Sequence, residues 1–160
     1  MISMDTPPAY DSLLKQLDAL LTGRWLTDLA NTGAFLMAEI PRLNWVGFYL
    51  LNARGDQLEL GPFQGKPACT EIALSRGVCG QAARLRQTVV VDDVHTFPDH
   101  IACDANSRSE LVVPLVVNNK LLGVLDVDSP EVARFDPQLK IFFESAAKIF
   151  LTKQSSTAIV

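Results

Sequence analysis

Thiol side chains are concentrated in one central stretch of the chain. The sequence holds three cysteines, Cys69, Cys79 and Cys103, and none lies outside this stretch. Their neighbours are Pro, Gly, Asp and His, which are typical of loops, whereas a free cysteine more often behaves as a small buried apolar residue. Because loops carry reactive groups more often than cores do, this stretch is the first candidate for chemistry.

The number of cysteines indicates what kind of chemistry to expect. Residues 1–8 hold neither a positive n-region nor an apolar h-region, and no apolar run reaches membrane-spanning length, so we expect a cytoplasmic protein with no membrane partner. In a reducing cytosol an odd set of three thiols does not build a structural disulfide framework. Any disulfide among them is therefore expected to be transient, either catalytic or redox-sensing.

Carboxylates in two apolar segments supply a second set of reactive groups. Asp126 and Asp128 are two residues apart in an extended run, so both point to one face, and Glu110 begins the neighbouring strand of the same predicted hairpin. Crowded carboxylates raise each other's pKa, so one is expected to stay protonated near neutral pH while another remains ionised. The alternative for the two aspartates is a solvated strand end or cap before Ser129.

Aromatic and histidine side chains complete the candidate set. Trp45 and Tyr49 share one face of a predicted strand, where they either wall a ligand or pack in the core, and packing is favoured for Tyr49. His95 and His100 lie in the loop around Cys103. We interpret His100 as a residue that tunes this cysteine and His95 as a loop or core histidine. Because Cys-x-x-Cys and His-x-x-x-His spacings are absent, no metal site is predicted.

Hydrophobic periodicity predicts the elements that position these residues. The pattern indicates two N-terminal helices, about three strands, a short helix, about three more strands and a last helix. Asp136 precedes Pro137 as an N-cap of the last helix, and Pro114 places its strand at an edge or a bulge. Residues 92–109 lack periodicity, which is typical of a functional loop. The order does not alternate strictly between strands and helices, so it favours an antiparallel α+β fold.

Length and composition favour one domain. The 160 residues match the usual domain size, and we expect a core over about 24–152, with flexible ends at 1–8 and 154–160. The net charge is −4 and the basic residues are scattered, so nucleic acid is not an expected partner. The apolar stripes of the N-terminal helices are compatible with the core or with a homodimer face.

Several separated motifs resemble a known family. Residues 109–115 and 123–129 resemble the closing hairpin of GAF domains. More specific are the segments 44–49 (NWVGFY), 60–66 (LGPFQGK), 76–80 (RGVCG), 100–104 (HIACD) and 125–129 (LDVDS). In this order, and over most of the chain, they resemble the free methionine-(R)-sulfoxide reductases. The resemblance implies a GAF-like fold, with a central antiparallel sheet of about six strands, terminal helices on one face and loops forming a site on the other.

The resemblance also implies roles for the cysteines. It makes Cys103 the nucleophile that attacks the sulfoxide sulfur and Cys69 the resolving cysteine that forms an intramolecular disulfide with it. Cys79 becomes an auxiliary or alternative resolving thiol. An equally good interpretation of Cys79 is a small residue packed where a helix begins.

For the other residues the resemblance implies substrate contacts and acid chemistry. It places Glu110 and Asp128 near the sulfoxide, Asp126 at the substrate ammonium, and Trp45 with Tyr49 against the substrate. It implies no cofactor, and it implies free methionine sulfoxide and the external reductant thioredoxin as partners. A non-catalytic GAF sensor of a small molecule or of redox state is the main alternative, and a thiol peroxidase is a weaker one.

Overall fold

A computed structural model of the chain describes residues 9–101 and 103–154. The elements are α1 (Tyr10–Leu20), α2 (Trp25–Glu39), β1 (Trp45–Leu51), β2 (Gln57–Gln64), β3 (Glu71–Ala73), α3 (Gly77–Leu85), β4 (Val89–Val91), a 3-10 helix (Val94–Thr96), β5 (Ser109–Val117), β6 (Lys120–Ser129) and α4 (Pro137–Gln154). The strands form one six-stranded sheet in the order β3-β2-β1-β6-β5-β4, with every neighbouring pair antiparallel. This confirms the predicted α+β class and element order.

Alternation along the central strands separates the two faces of the sheet. On β1, Val46 and Phe48 belong to the core that α1, α2 and α4 cover, whereas Trp45 and Tyr49 belong to a second cluster on the opposite face. The N- and C-terminal helices thus lie on one face, as predicted, and bury most of the large apolar side chains there. Among the described helices, none combines the length and apolar character that a membrane span requires.

The opposite face is covered by α3 and the loops around it. Val78, Ala82 and Ala83 of α3 pack in the second cluster with apolar residues of β2, β4, β5 and β6. Gly80 allows α3 to approach the chain before it, because a Cβ at this position would lie 2.8 Å from the backbone oxygen of Leu74. This second face carries the polar residues of the predicted site.

Two local predictions are confirmed. The Asp136 carboxylate accepts a hydrogen bond from the Leu139 backbone N–H at 2.8 Å and so caps α4. The pairing of β4 with β5 ends at Val112, two residues before Pro114, and the β5 register becomes irregular just after Leu115. Pro114 therefore lies beyond the end of β4 and next to a bulge, where the missing N–H is tolerated.

The last helix extends further than the sequence predicts. Gln154 ends α4, is 1% exposed, and donates a hydrogen bond from its side-chain amide to Asp28 Oδ2 at 2.6 Å. The prediction of a flexible end is wrong at this first residue of the segment, because a buried hydrogen bond holds it. Residues 1–8 and 155–160 lie outside the described part of the chain.

Asp28 joins three parts of the helical layer. Its buried carboxylate accepts hydrogen bonds from the Thr22 backbone N–H at 2.9 Å, the Thr22 hydroxyl at 2.9 Å, the Gly23 backbone N–H at 2.8 Å and the Gln154 amide. Burial by itself raises the pKa of Asp28, but these hydrogen bonds outweigh it and hold the pKa below its usual value. The α1–α2 turn and the end of α4 are therefore fixed to one charged group.

We expect Asp28→Ala to lower the free energy of unfolding by roughly 3 kcal/mol at pH 7, because buried donors lose their acceptor. A lowered folded-state pKa stabilises the protein above the unfolded pKa of about 3.9 and loses this effect as the pH falls through the folded value. The unmodified protein and Asp28→Ala should therefore differ less in their free energies of unfolding below about pH 4 than at pH 7. Urea unfolding of both proteins at pH 7 and below pH 4 measures this difference.

The matched control for this prediction is Asp18→Ala. Asp18 also approaches α4, at 3.2 Å from Lys153 Nζ, but its side chain is 60% exposed. Such a surface pair contributes at most about 1 kcal/mol. Equal destabilisation by the two substitutions would contradict the role given to Asp28.

Candidate active site

Cross-strand register brings the predicted carboxylates together. Glu110 of β5 lies opposite Asp128 of β6, and Asp126 follows on the same face of β6, opposite Val112. The exposed fractions of Glu110, Asp126 and Asp128 are 7%, 5% and 9%, and all three line one cavity on the α3 face. They form a buried acidic cluster rather than the solvated strand end that was the alternative.

Burial and mutual repulsion raise the pKa of these carboxyl groups. Burial, followed by the charge of Asp128, raises the pKa of Glu110 to about 8. Burial, followed by the charge of Glu110, raises the pKa of Asp126 well above the usual range, and burial, followed by the charge of Asp126, does the same for Asp128. Among the described residues that line the cavity, none is Lys or Arg. At neutral pH Glu110 is therefore mostly protonated and able to donate a proton into the cavity.

His100 reaches the cavity from the loop before β5. Its Nε2 lies 3.6 Å from Glu110 Oε1. Burial lowers the pKa of His100, while the pKa of Glu110 is raised, so at neutral pH this contact joins two neutral groups rather than an ion pair. The imidazole of His100 thus contacts Glu110, a candidate catalytic residue on β5. His95 is exposed on the 3-10 helix, where its backbone N–H bonds the Asp93 carboxylate at 3.0 Å.

A disulfide of 2.03 Å joins Cys69 and Cys103, which are 34 residues apart in the sequence. Cys69 lies between β2 and β3, and Cys103 lies in the long loop before β5. Both are half-buried, and Cys103 lines the same cavity as the acids. The tertiary structure therefore pairs the two cysteines that the resemblance implied, and neither of them is fully buried.

Cys79 is a free cysteine near the start of α3 and is 3% exposed. Burial, followed by the charges of Asp126 and Glu110, raises the pKa of this thiol well above its usual value. At neutral pH the group therefore remains a thiol, which is a weak nucleophile. Cys79 is packed where the helix begins, as one interpretation had it, and it also lines the cavity.

The two aromatic residues both pack and line the cavity. Trp45 and Tyr49 are each 2% exposed, and their rings stack with centroids 5.8 Å apart. Phe63, which sequence alone does not single out, stacks on Trp45 at 5.3 Å. Trp45 Nε1 donates to the Lys66 backbone oxygen at 3.1 Å, and the Tyr49 hydroxyl donates to the Cys69 backbone oxygen at 2.9 Å. The Tyr49 contact ties this wall directly to one half of the disulfide.

Gly47 makes room for the indole ring. It lies between Trp45 and Tyr49 on β1 and faces the same side of the sheet. A Cβ at this position would lie 2.4 Å from Phe63 Cβ and 2.5 Å from Trp45 Cη2. Only glycine therefore allows Trp45 to lie across the strand.

Asn44 holds the Cys103 loop against the sheet. Its side-chain amide donates to Asp104 Oδ2 at 3.1 Å and to Ser107 Oγ at 2.9 Å. Its backbone N–H donates to the Asp128 backbone oxygen at 3.0 Å. Sequence alone gives Asn44 no role, and the only signal is its place directly before Trp45 in the first matching motif.

The site combines a cysteine pair that can cycle between dithiol and disulfide with a cluster of buried carboxyl groups, of which Glu110 is mostly protonated at neutral pH. Two thiols supply two electrons, and a buried carboxylic acid supplies a proton to an oxygen atom that leaves. This combination suits the reduction of a small molecule that carries an oxygen on a soft atom.

Comparisons with known proteins agree with this geometry. A family model described as GAF domain matches residues 26–150. The free methionine-R-sulfoxide reductase of Escherichia coli is 49% identical over 134 residues, which cover 82% of this chain and 80% of that protein. The protein of the same name from Saccharomyces cerevisiae is 41% identical over 147 residues, covering 87% and 82%. The X-ray structure of free methionine-R-sulfoxide reductase from Neisseria meningitidis in complex with its substrate matches with a TM-score of 0.90 and 41% identity, covering 98% of this chain and 96% of that one.

Proposed function

The chain belongs to the GAF-domain family of free methionine-R-sulfoxide reductases, and we propose that it reduces free L-methionine-(R)-sulfoxide to L-methionine with thiols as the electron donors. The observation that carries this proposal is the Cys69–Cys103 disulfide at a cavity that also holds a cluster of buried carboxyl groups. Because both electrons come from cysteine sulfur, the scheme uses no prosthetic group.

In the first step the Cys103 thiolate attacks the sulfoxide sulfur. The attack forms a bond between Cys103 Sγ and the substrate sulfur. As the protonated oxygen passes from the substrate sulfur to Sγ, this bond and the S–O bond of the substrate break, and methionine leaves a sulfenic acid on Cys103. The substrate sulfur gains two electrons and Cys103 loses them. Since oxide cannot leave unprotonated, Glu110 donates a proton to the oxygen, and Asp128 opposite it assists.

In the second step the Cys69 thiol attacks the sulfenic sulfur of Cys103. An S–S bond forms, the sulfenic S–O bond breaks and water leaves. An external dithiol then reduces the disulfide by exchange, and we take thioredoxin in the cytoplasm as this reductant. For Cys79 we propose no more than an auxiliary role in this cycle, because its raised pKa keeps it protonated.

Substrate contacts follow from the other cavity residues. Asp126 receives the substrate ammonium, and its buried Oδ1, which has no hydrogen-bond partner among residues 9–101 and 103–154, supports this role. Trp45 and Tyr49 line the part of the cavity that contacts the sulfoxide methyl group. If the amino acid's own ammonium is enclosed in this way, a peptide-bonded methionine sulfoxide is excluded by desolvation and steric penalties. A homodimer through the N-terminal helices stays a prediction.

The proposal is tested by methionine release from each diastereomer of the free sulfoxide, with dithiothreitol or a thioredoxin system as reductant. Turnover of the R form alone is expected. If folded, reduced protein turns over neither diastereomer, the proposal of an enzyme is wrong and a non-catalytic GAF sensor takes its place. Comparable activity on sulfoxide within a protein chain would overturn the selectivity for the free amino acid.

Cys69→Ser is expected to release the first equivalent of methionine and then stop, because Cys103 still reacts but its sulfenic acid lacks a resolving thiol. Methionine release by reduced protein, followed by dimedone labelling of Cys103, measures both effects. The unmodified protein is the control, since after one equivalent it should carry the disulfide with Cys79 as its free thiol. Continuous turnover by the variant with thioredoxin would instead assign the resolving role to another thiol.

A further inference from the structure

Side chains from three elements place metal-binding atoms around one point of the cavity. Cys79 Sγ on α3, a carboxylate oxygen of Glu110 on β5 and one of Asp126 on β6 all lie within 4.8 Å of one another, and all three residues are buried. In a tetrahedral zinc site with bonds of about 2.0 to 2.3 Å, ligand atoms lie roughly 3.3 to 3.8 Å apart. The three atoms therefore need to converge by only about 1 Å.

Asp126 has bonding capacity that the protein leaves unused. The residue is 5% exposed and lines the cavity, and its Oδ1 is a buried acceptor without a hydrogen-bond partner in the described structure. Buried polar atoms are nearly always paired, so this oxygen is able to accept a bound ligand as its partner. A cation satisfies such an oxygen directly.

The size of the cavity also favours a small ligand in the disulfide-bridged state. Its volume is about 30 Å³, which is room for a water molecule or an ion. His100 Nε2 stands 3.6 Å from Glu110 Oε1 but outside the set of three atoms that lie within 4.8 Å of one another, so its imidazole becomes a further ligand only if it moves towards them. Thiolate, carboxylate and imidazole together are a donor set typical of zinc rather than of magnesium or calcium.

We propose that Cys79, Glu110 and Asp126 bind one Zn²⁺ ion, with His100 as the fourth ligand, and that the bound ion excludes the sulfoxide. Binding displaces the protons of the thiol and the carboxyl groups. Zinc binding would give Cys79 a function that the reduction of the sulfoxide does not require. The exclusion rests on the proposed function, because it assumes that Glu110 and Asp126 contact the substrate, whereas the binding of the ion does not.

The binding is tested on the disulfide-bridged protein, in which Cys79 is the one thiol left of the three cysteines. Titration with Co²⁺ should give a thiolate-to-cobalt charge-transfer band that saturates at one ion per chain, and Zn²⁺ should displace the cobalt. Calorimetric titration with Zn²⁺ gives the affinity. Lack of saturable binding, or saturable binding without the thiolate band, would overturn the site even if no variant could be prepared.

Variants then identify the ligands. Cys79→Ser should remove the charge-transfer band, and both Cys79→Ser and Asp126→Asn should weaken Zn²⁺ binding at least tenfold. His100→Ala should weaken it as well, whereas the matched control His95→Ala should not, because His95 is exposed on the 3-10 helix. A band that persists in folded Cys79→Ser, or equal effects of the two histidine variants, would contradict the assignment.

The exclusion is tested separately, on reduced protein from which the reductant has been removed. Zn²⁺ should raise the sulfoxide concentration needed for half-maximal release of the first equivalent, and it should do so less in Cys79→Ser. Release that is insensitive to zinc in both proteins would overturn the exclusion while leaving the binding result in place. Failure to release methionine even without metal would overturn the proposed function instead.

Discussion

Cys103→Ser is expected to release not even the first equivalent of methionine. The step should slow by roughly 10⁴- to 10⁶-fold, the scale of losing a catalytic nucleophile, because a serine hydroxyl is hardly ionised at neutral pH and forms no sulfenic acid. The measurement is a single-turnover reaction of reduced protein with excess R sulfoxide, quenched at intervals, in which free methionine is quantified.

Cys69→Ser is the matched control for this result. Each variant lacks one partner of the same disulfide, so each loses the same covalent link between the loop after β2 and the loop before β5. Only Cys69→Ser retains the proposed nucleophile and should yield one equivalent. Methionine release by Cys103→Ser at a similar rate would show that another thiol attacks the substrate.

Glu110→Gln is expected to slow the same step by about 10²- to 10⁴-fold, the usual contribution of a positioned general acid. Glutamine keeps the size of the side chain and a hydrogen-bond donor, but it cannot transfer a proton. Glu131→Gln is the control, since Glu131 is exposed and its carboxylate lies 3.6 Å from Arg42, outside the cavity lining. A loss of less than tenfold in Glu110→Gln would remove Glu110 from this role.

The pH profile tests the same role. With a pKa of about 8, Glu110 is protonated below that value and loses its proton as the pH rises through it. The rate ratio of the unmodified protein to Glu110→Gln, measured with a chelator present, should therefore be high below pH 8 and fall above it. Because both proteins carry Cys103, the pH dependence of thiolate formation at this residue cancels in the ratio. A ratio that stays constant across this range would contradict a proton donated by Glu110.

Local sequence pattern was sufficient for the elements and for much of the fold. The alternation that places Asp126 and Asp128 on one face is a property of any extended strand. The cap at Asp136 and the place of Pro114 depend on backbone groups only a few residues away. The GAF-like architecture predicted from separated motifs is confirmed by the family match over residues 26–150.

Long-range contacts set the limit of prediction from sequence. The buried amide of Gln154 was missed because its partner, Asp28, lies 126 residues away. Asn44 received no role because its partners, Asp104 and Ser107, belong to a loop 60 or more residues later. Such contacts depend on how loops close over the sheet, and residue spacing within one segment carries no information about that.

The sequence by itself determined the inventory of reactive groups and the faces that carry them, because side-chain direction in a strand follows from local geometry. The tertiary structure alone decided which groups meet. Sheet register set Glu110 opposite Asp128, and loop closure joined Cys69 to Cys103 and brought His100 to Glu110. The same register and the packing of α3 brought together the cysteine and the two acids of the proposed zinc site. Residue spacing within a single segment does not predict this site. Register and closure are properties of the whole fold, since they are fixed by burial across several elements at once.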